Sequence, residues 1–282
     1  MRRFLFLLTV ALCAAFPSLT PAQVLQIATP LTSLPTTIRH PGIYVLRKDL
    51  NFKLATGAAI TIAPDNVVLD LGGHTLTNTL AANMTGPTQA IGVTSTEHIG
   101  LTVRNGQIDG FNDGVNINSG STIGTVTAGH LQIDDCHRVG ITIAADQVEV
   151  LECRMRNIGA AAAPNNVWGI EVRGSSLHVM GNEVYGMTSA ASPARGIQVA
   201  SSALGVIERN RVINNTLING SFGIILFNNQ SAFGGNIATG NFVANWATGI
   251  TFSNGSPGKY KDNLTENCTT AFQGGTAAGT ND

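Results

Sequence analysis

Gly114-Val115-Asn116-Ile117 and, 26 residues later, Gly140-Ile141-Thr142-Ile143 carry the pattern on which the reading of this chain turns. The unit is a small residue followed by apolar-x-apolar. It recurs as Ala59-Ile60-Thr61-Ile62, Ala90-Ile91-Gly92-Val93, Gly169-Ile170-Glu171-Val172, Gly196-Ile197-Gln198-Val199, Gly223-Ile224-Ile225-Leu226 and Gly249-Ile250-Thr251-Phe252. The first apolar residues are separated by 31, 24, 26, 29, 27, 27 and 26 positions, a loose period of the kind that marks a stacked array. Apolar residues two apart belong to a strand with one inward face.

Each repeat holds further short alternations, such as Leu101/Val103, Val148/Val150 and Leu177/Val179. A closing apolar position follows at Leu76, Ile108, Ile133, Met155, Val184, Val212, Val243 and Leu264. Three short strands per repeat predict an all-β, right-handed, single-stranded parallel β-helix (a solenoid) of about eight coils over residues 59–270. A sandwich would show hairpin turns and no repeat, and leucine-rich repeats a Leu-dominated signature. Asn182, Asn210 and Asn241 each stand two residues before a closing position, where stacked turn amides can bond from coil to coil. Cys153 takes the equivalent place one coil earlier and interrupts the expected ladder.

The ends read differently. Arg2 and Arg3, an apolar run from Phe4 to Phe16 and small residues near Ala22 form a secretory signal peptide over residues 1–22. It predicts a secreted or periplasmic protein. The apolar run is too short for an ordinary membrane span, so no membrane association is expected after cleavage; bulky Leu12 before Cys13 argues against a lipid anchor. Residues 23–58, with Pro30, Pro35, Pro41 and Gly42, are expected to form an N-terminal cap and first strand; the Gly- and Thr-rich residues 271–282 are expected to fray as a tail. Charged residues make up 12% of the chain, and the formal charge of −1 becomes −3 without Arg2 and Arg3. There is no basic stripe, so nucleic-acid binding has no electrostatic support. Cys136, Cys153 and Cys268 remain after cleavage; an odd number leaves a thiol unpaired, and buried single cysteines are expected. A monomer without cofactor or metal is the expectation.

The sequence resembles the pectate-lyase-like superfamily of right-handed β-helix repeat proteins. The resemblance rests on Leu34-Pro35-Thr36-Thr37-Ile38, Pro41-Gly42-Ile43-Tyr44-Val45-Leu46, Val68-Leu69-Asp70-Leu71-Gly72-Gly73-His74-Thr75-Leu76 and Val103-Arg104-Asn105-Gly106-Gln107-Ile108. It covers nearly the whole mature chain and implies the fold and a carbohydrate-related role, with a polysaccharide as partner. Lyases, hydrolases, epimerases and adhesins share this architecture, so it does not supply the chemistry.

Two sets of residues are candidates. Asn112-Asp113-Gly114 and Asp134-Asp135-Cys136 are similar to the motifs of polygalacturonases, which cleave glycosidic bonds with paired carboxylates. With His137 and Arg138 they give the catalytic candidates Asp113, Asp134, Asp135, His137 and Arg138. Register weighs against the pair: Asp113 directly precedes Gly114, whereas Asp134 lies six residues before Gly140, which makes Val139 the stacking partner of Asp113. The family's Gly-His-Gly and Arg-x-Lys motifs are absent. His130 and His137 beside Asp134 and Asp135 form the densest titratable cluster, without metal-ligand spacing. The second set is the outward strip Thr61, Gly92, Asn116, Thr142, Glu171, Gln198, Ile225 and Thr251. Asn116, Thr142, Glu171 and Gln198, with Arg173, are its candidate sugar-binding residues. Trp168 and Trp246 suit either sugar stacking or the edges of the core.

Overall fold

The computed structural model describes residues 27–80, 88–120, 123–159, 166–188, 193–228, 235–253 and 257–282. The signal-peptide reading lies outside the described residues. Every coil passes through three sheets, and every strand pairing is parallel. The first sheet stacks Thr36–Ile38, Ala58–Ile62, Ile91–Thr96, Asp113–Asn118 and Val139–Ala144. It continues through the first halves of Val167–Met180 and Ala194–Glu208, then Phe222–Asn228, Thr248–Ser253 and Thr270–Gln273. The second sheet includes Val67–Asp70 and Gln147–Leu151, and the third Thr75–Asn78, Arg154–Arg156 and Glu183–Tyr185. This is the expected right-handed β-solenoid of about eight coils, roughly 40 Å long at the usual strand spacing.

The core is a set of like-on-like columns. Val115, Ile141, Ile170, Ile197, Ile224 and Ile250 stack in register along the first sheet, and all are buried. The closing column runs Leu76, Ile108, Ile133, Met155, Val184, Val212 and Val243. It then passes to Thr265, not Leu264, which turns outward and is exposed.

From Gly92 to Gly249, the glycine before each first-sheet unit is required by space. A Cβ on Gly114 would come within 2.6 Å of the Gly140 carbonyl oxygen and 2.7 Å of Ile133 Cγ2. Gly92 belongs to the same series, with the Gly114 carbonyl at 2.5 Å. The unit in that coil is therefore Gly92-Val93-Thr94-Ser95, and Val93, not Ile91, pairs with Ile60 and Val115. The outward strip correspondingly contains Thr94 in place of Gly92. Sequence periodicity misses this because a buried serine holds the second inward slot, its Oγ donating to the Ile62 carbonyl at 2.8 Å.

Turn chemistry supplies the corners. Asn105, His130, Glu152, Arg209 and Asp262 have positive φ at one corner, and Asp135, Asn157, Asn245 and Asn267 at another. The asparagine ladder is longer than expected. The backbone N–H groups of Cys153, Asn182, Asn210, Asn241 and Asn263 donate in turn to the Oδ1 atoms of Asn182, Asn210, Asn241, Asn263 and Asn281, at 2.9–3.2 Å. From Asn182 to Asn263, each Nδ2 also donates to a backbone carbonyl of the coil before, as Asn210 does to Val179 at 2.9 Å.

Both ends are built from the same material. Residues 29–52 form an opening coil in register with the next, and Leu31, Ile38, Leu46 and Leu50 join the core. The C-terminal residues do not fray. Thr270–Gln273 and Thr276–Ala277 pair as strands, Asn281 closes the ladder, and Tyr260 stacks on Phe272 with ring centroids 4.8 Å apart. Cys136, Cys153 and Cys268 are free thiols, the first two buried. Burial pushes the Cys153 thiol up to about 12, which keeps it protonated and inert.

Candidate functional site

Register brings the outward residues of five consecutive first-sheet strands onto one face. Asp113, Val139, Trp168, Arg195 and Phe222 share one column. Asn116, Thr142, Glu171, Gln198 and Ile225 share the next, and Asn118, Ala144, Arg173, Ala200 and Phe227 a third. Neighbours along a column lie roughly 4.8 Å apart, so these side chains meet although about 27 residues separate each from the next.

Asp113 is fully buried and holds Arg138 in a two-pronged pair: Nε donates to Oδ1 at 2.9 Å and Nη2 to Oδ2. Asn112 Nδ2 donates to Oδ1 at 3.1 Å and Asn116 Nδ2 to Oδ2 at 2.9 Å. Four donors thus occupy the two oxygens of Asp113. One coil pair further on, Glu171 is likewise buried. Its Oε1 accepts from Arg173 Nε at 3.1 Å, Arg173 Nη2 at 2.6 Å and Gln198 Nε2 at 2.8 Å, and its Oε2 from Thr142 Oγ1 at 3.4 Å. Gln198 Oε1 accepts from Trp168 Nε1 at 3.2 Å and from Arg195 Nη1. The Arg195 guanidinium lies 5.9 Å from the Trp168 ring centroid. Thr142, Glu171, Arg173 and Gln198 therefore belong to one hydrogen-bonded cluster and Asn116 to the neighbouring Asp113–Arg138 cluster, rather than to an ordinary solvated sheet, and Glu171–Arg173 is not a simple surface pair.

The electrostatics follow the contacts. The hydrogen bond that Arg138 donates to Asp113, with the nearby charges of Asp113 and Glu171, raises the Arg138 pKa against the cost of its burial. Burial lowers that of Arg195, Glu171 opposes this, and Arg173 reinforces it.

The catalytic candidates divide. Asp113 and Arg138 are joined, as above. Asp134 ends a third-sheet strand, stacks between Asp109 and Arg156, and accepts from Gln132 Nε2 at 2.6 Å and Gln107 Nε2 at 3.3 Å. Asp135 is the positive-φ turn residue next to it. His137 is buried, and its Nδ1 accepts from the Thr88 N–H at 3.0 Å, which leaves the ring neutral and engaged; burial lowers its pKa. Asp113 and Asp134 thus serve different sheets, with Val139 as the stacking partner of Asp113, and the two carboxylates do not flank one bond. Trp246 is fully buried with Nε1 donating to the Val212 carbonyl at 3.2 Å, so the two tryptophans have separate roles. Arg195 is not among the candidates that the sequence offers. Its signal was position: like Asp113 and Trp168, it stands directly before the glycine of a recurring strand.

Two grooves lie outside these hydrogen-bonded clusters. One, of about 540 Å³, follows the corner of the second and third sheets past Asn105, Gln132, Glu152 and Arg154; the other, of about 570 Å³, includes Phe222, Ile225 and Thr251 further along the first-sheet face. In the first, Arg154 pairs with Glu183 at 2.7 Å, and His130 Nδ1 lies 3.2 Å from Glu152 Oε2. Among the described residues, no group of three or more His, Cys, Asp or Glu is placed to hold a metal ion, and no helix is long and apolar enough to cross a membrane.

Comparison with known proteins gives a family and a distant structural likeness. The family described as "Right handed beta helix region" matches residues 89–281. No curated protein matches the chain. Among solved structures, the A-module of a mannuronan C-5 epimerase from Azotobacter vinelandii is similar at 12% identity and a TM-score of 0.30, over 90% of this chain and 86% of that one.

Proposed function

We infer the function from one premise: the chain belongs to the right-handed β-helix family. Membership supplies a rigid scaffold and no chemistry of its own. On it, the reading best supported is an exported, monomeric protein that binds a polysaccharide along the outer face of the first sheet. The observation that carries this reading is the pair of adjacent clusters, Asp113–Arg138 and Trp168–Glu171–Arg173–Arg195–Gln198, on neighbouring coils. It combines fixed donors, acceptors and one aromatic ring, the set that recognises hydroxyl-rich rings. The basic, apolar, small order of residues 1–22 supports export.

Recognition fits this face better than hydrolysis. A paired-carboxylate glycosidase needs one acid and one base flanking the scissile bond, whereas both oxygens of Asp113 and Oε1 of Glu171 each accept two or three donors, and Glu171 Oε2 accepts from Thr142. Those carboxylates hold arginines and amides in place.

Affinity electrophoresis of the purified chain through gels carrying different polysaccharides tests the proposal. Retardation by a glycan, without new reducing ends or unsaturated products, is the expected result. Trp168→Ala and Gln198→Ala should each weaken it about tenfold, the loss of one stacking contact or of a small set of hydrogen bonds. Steady product release would move the reading to catalysis, and indifference to every glycan would overturn it.

A further inference from the structure

We propose that His137 is an acid-sensitive latch: as the neutral ring it fastens the chain at Thr88 across two coils, and on protonation it releases it. This latch is independent of the polysaccharide reading.

The bond itself fixes the protonation state. The Thr88 backbone N–H donates to His137 Nδ1 at 3.0 Å, and both residues are buried. A backbone N–H can only donate, so Nδ1 presents its lone pair and the ring proton sits on Nε2. A proton added at Nδ1 would set two donors face to face in a place shut off from water, where an unmet N–H is costly.

The position of the bond makes it a fastening. The Ala90 carbonyl accepts from the Asn112 N–H at 2.8 Å, and the Asn112 carbonyl from the Arg138 N–H at 2.9 Å, so these three residues mark successive coils. Thr88 stands on the first of them and His137 on the third. The bonds of the asparagine ladder, by contrast, join adjacent coils. Thr88 is also a junction, since its Oγ1 donates to the Leu54 carbonyl at 3.0 Å and accepts from the Ala90 N–H at 3.1 Å. Ile91, three residues on, pairs with Asp113 in the first sheet. Release at Thr88 would therefore loosen the flank of the outer face and leave its stacked centre in place.

The surroundings set the direction of the response. Burial disfavours the imidazolium and lowers the His137 pKa, while the charge of Asp135 favours it. Arg138, next in the chain, is engaged by Asp113 on the coil before. Residues 54–55, 88–90 and 111–112, which surround the bond, carry no ionisable side chain. The folded pKa thus lies below the unfolded one, so the latch holds at pH above ~6.5 and is lost as pH falls below it.

Hydrogen exchange of the Thr88 amide, followed by NMR from pH ~8 to ~4 and corrected for the intrinsic rate, reads the latch directly. Three proteins are compared: the exported chain, His137→Asn, whose Oδ1 can accept from Thr88 without titrating, and His137→Phe, which offers no acceptor. In the exported chain, Thr88 protection should fall about tenfold or more on acidification while the core residues Val115 and Ile141 keep theirs. His137→Asn should stay protected across the range, and His137→Phe should lack protection throughout. The ring nitrogen shifts of His137 in the exported chain should titrate with the same midpoint as the Thr88 protection. Constant Thr88 protection, a loss shared equally by Val115 and Ile141, the same acid loss in His137→Asn, or a different midpoint for the ring overturns the latch.

Discussion

At the scale of single residues, two carboxylates contrast: Asp109 is crowded by like charges, and Asp113 is buried and held by Arg138. Asp109 stacks on Asp134, whose Oδ1 is buried without a partner, and Asp135 lies beside them. Burial and then the charges of Asp135 and Asp134 push its carboxyl up to about 6. Gln107 and Gln132 face the cluster from its own sheet; Arg156 and Thr77 complete its column on either side. A raised folded pKa means that the native state holds this proton more tightly than the unfolded chain. The group therefore costs stability above pH ~6, and the cost disappears as pH falls towards ~4. His137 acts in the opposite sense, since its lowered pKa costs stability once pH drops below ~6.5. Asp109→Asn should raise Tm at neutral pH and converge on the wild type near pH ~4, and paired thermal scans of the two proteins check it. In Arg138→Ala, Asp113 would be left charged and fully buried. A loss of about 2–3 kcal/mol is expected, discounted for the part of Arg138 that faces water. Denaturant titration should also find Asp113→Asn/Arg138→Met more stable than Arg138→Ala.

At the scale of strands and turns, the asparagine ladder and the glycine column make separable contributions. Asn210→Ala removes the acceptor used by Asn182 and the two donations from Nδ2, and should cost about 2–4 kcal/mol in denaturant titration. In Gly223→Ala the added methyl would meet Val243 Cγ1 at 2.2 Å and the Gly249 carbonyl at 2.7 Å, for an expected loss of about 2–3 kcal/mol. Gly120→Ala meets no atom within 4 Å but must hold φ at +64°, so it should cost only about 1 kcal/mol. These columns also show how much the sequence disclosed. Period-2 alternation with a preceding glycine located the first sheet because both are local. It failed at Ile91 and Leu264, where Ser95 and Thr265 take inward places that apolar counting skips. The outward strip was legible as positions but not as a network. Nothing local distinguishes a solvated Glu171 from one buried beneath the next coil's Gln198, 27 residues on. The separation of Asp113 from Asp134 was readable because it needed only a residue count.

At the scale of the whole molecule, each coil touches only its neighbours, so stability is close to a sum over adjacent pairs. Deleting residues 279–282 removes Asn281 from the ladder and the carbonyl of Asp282 from Thr265. Hydrogen exchange should then quicken over residues 257–278 and stay unchanged around Glu171 and Arg195. A companion measurement of glycan affinity should find it intact.

The register has a mechanical consequence as well. Residues stacked in a column are neighbours in space but about 27 apart along the chain, so tension between the two termini cannot be shared by many coils at once. It falls on the outermost coil, whose strands unzip before the next is loaded. A molecule so built yields in small repeated increments, paying out slack from its ends while the middle coils and the face they carry keep their shape.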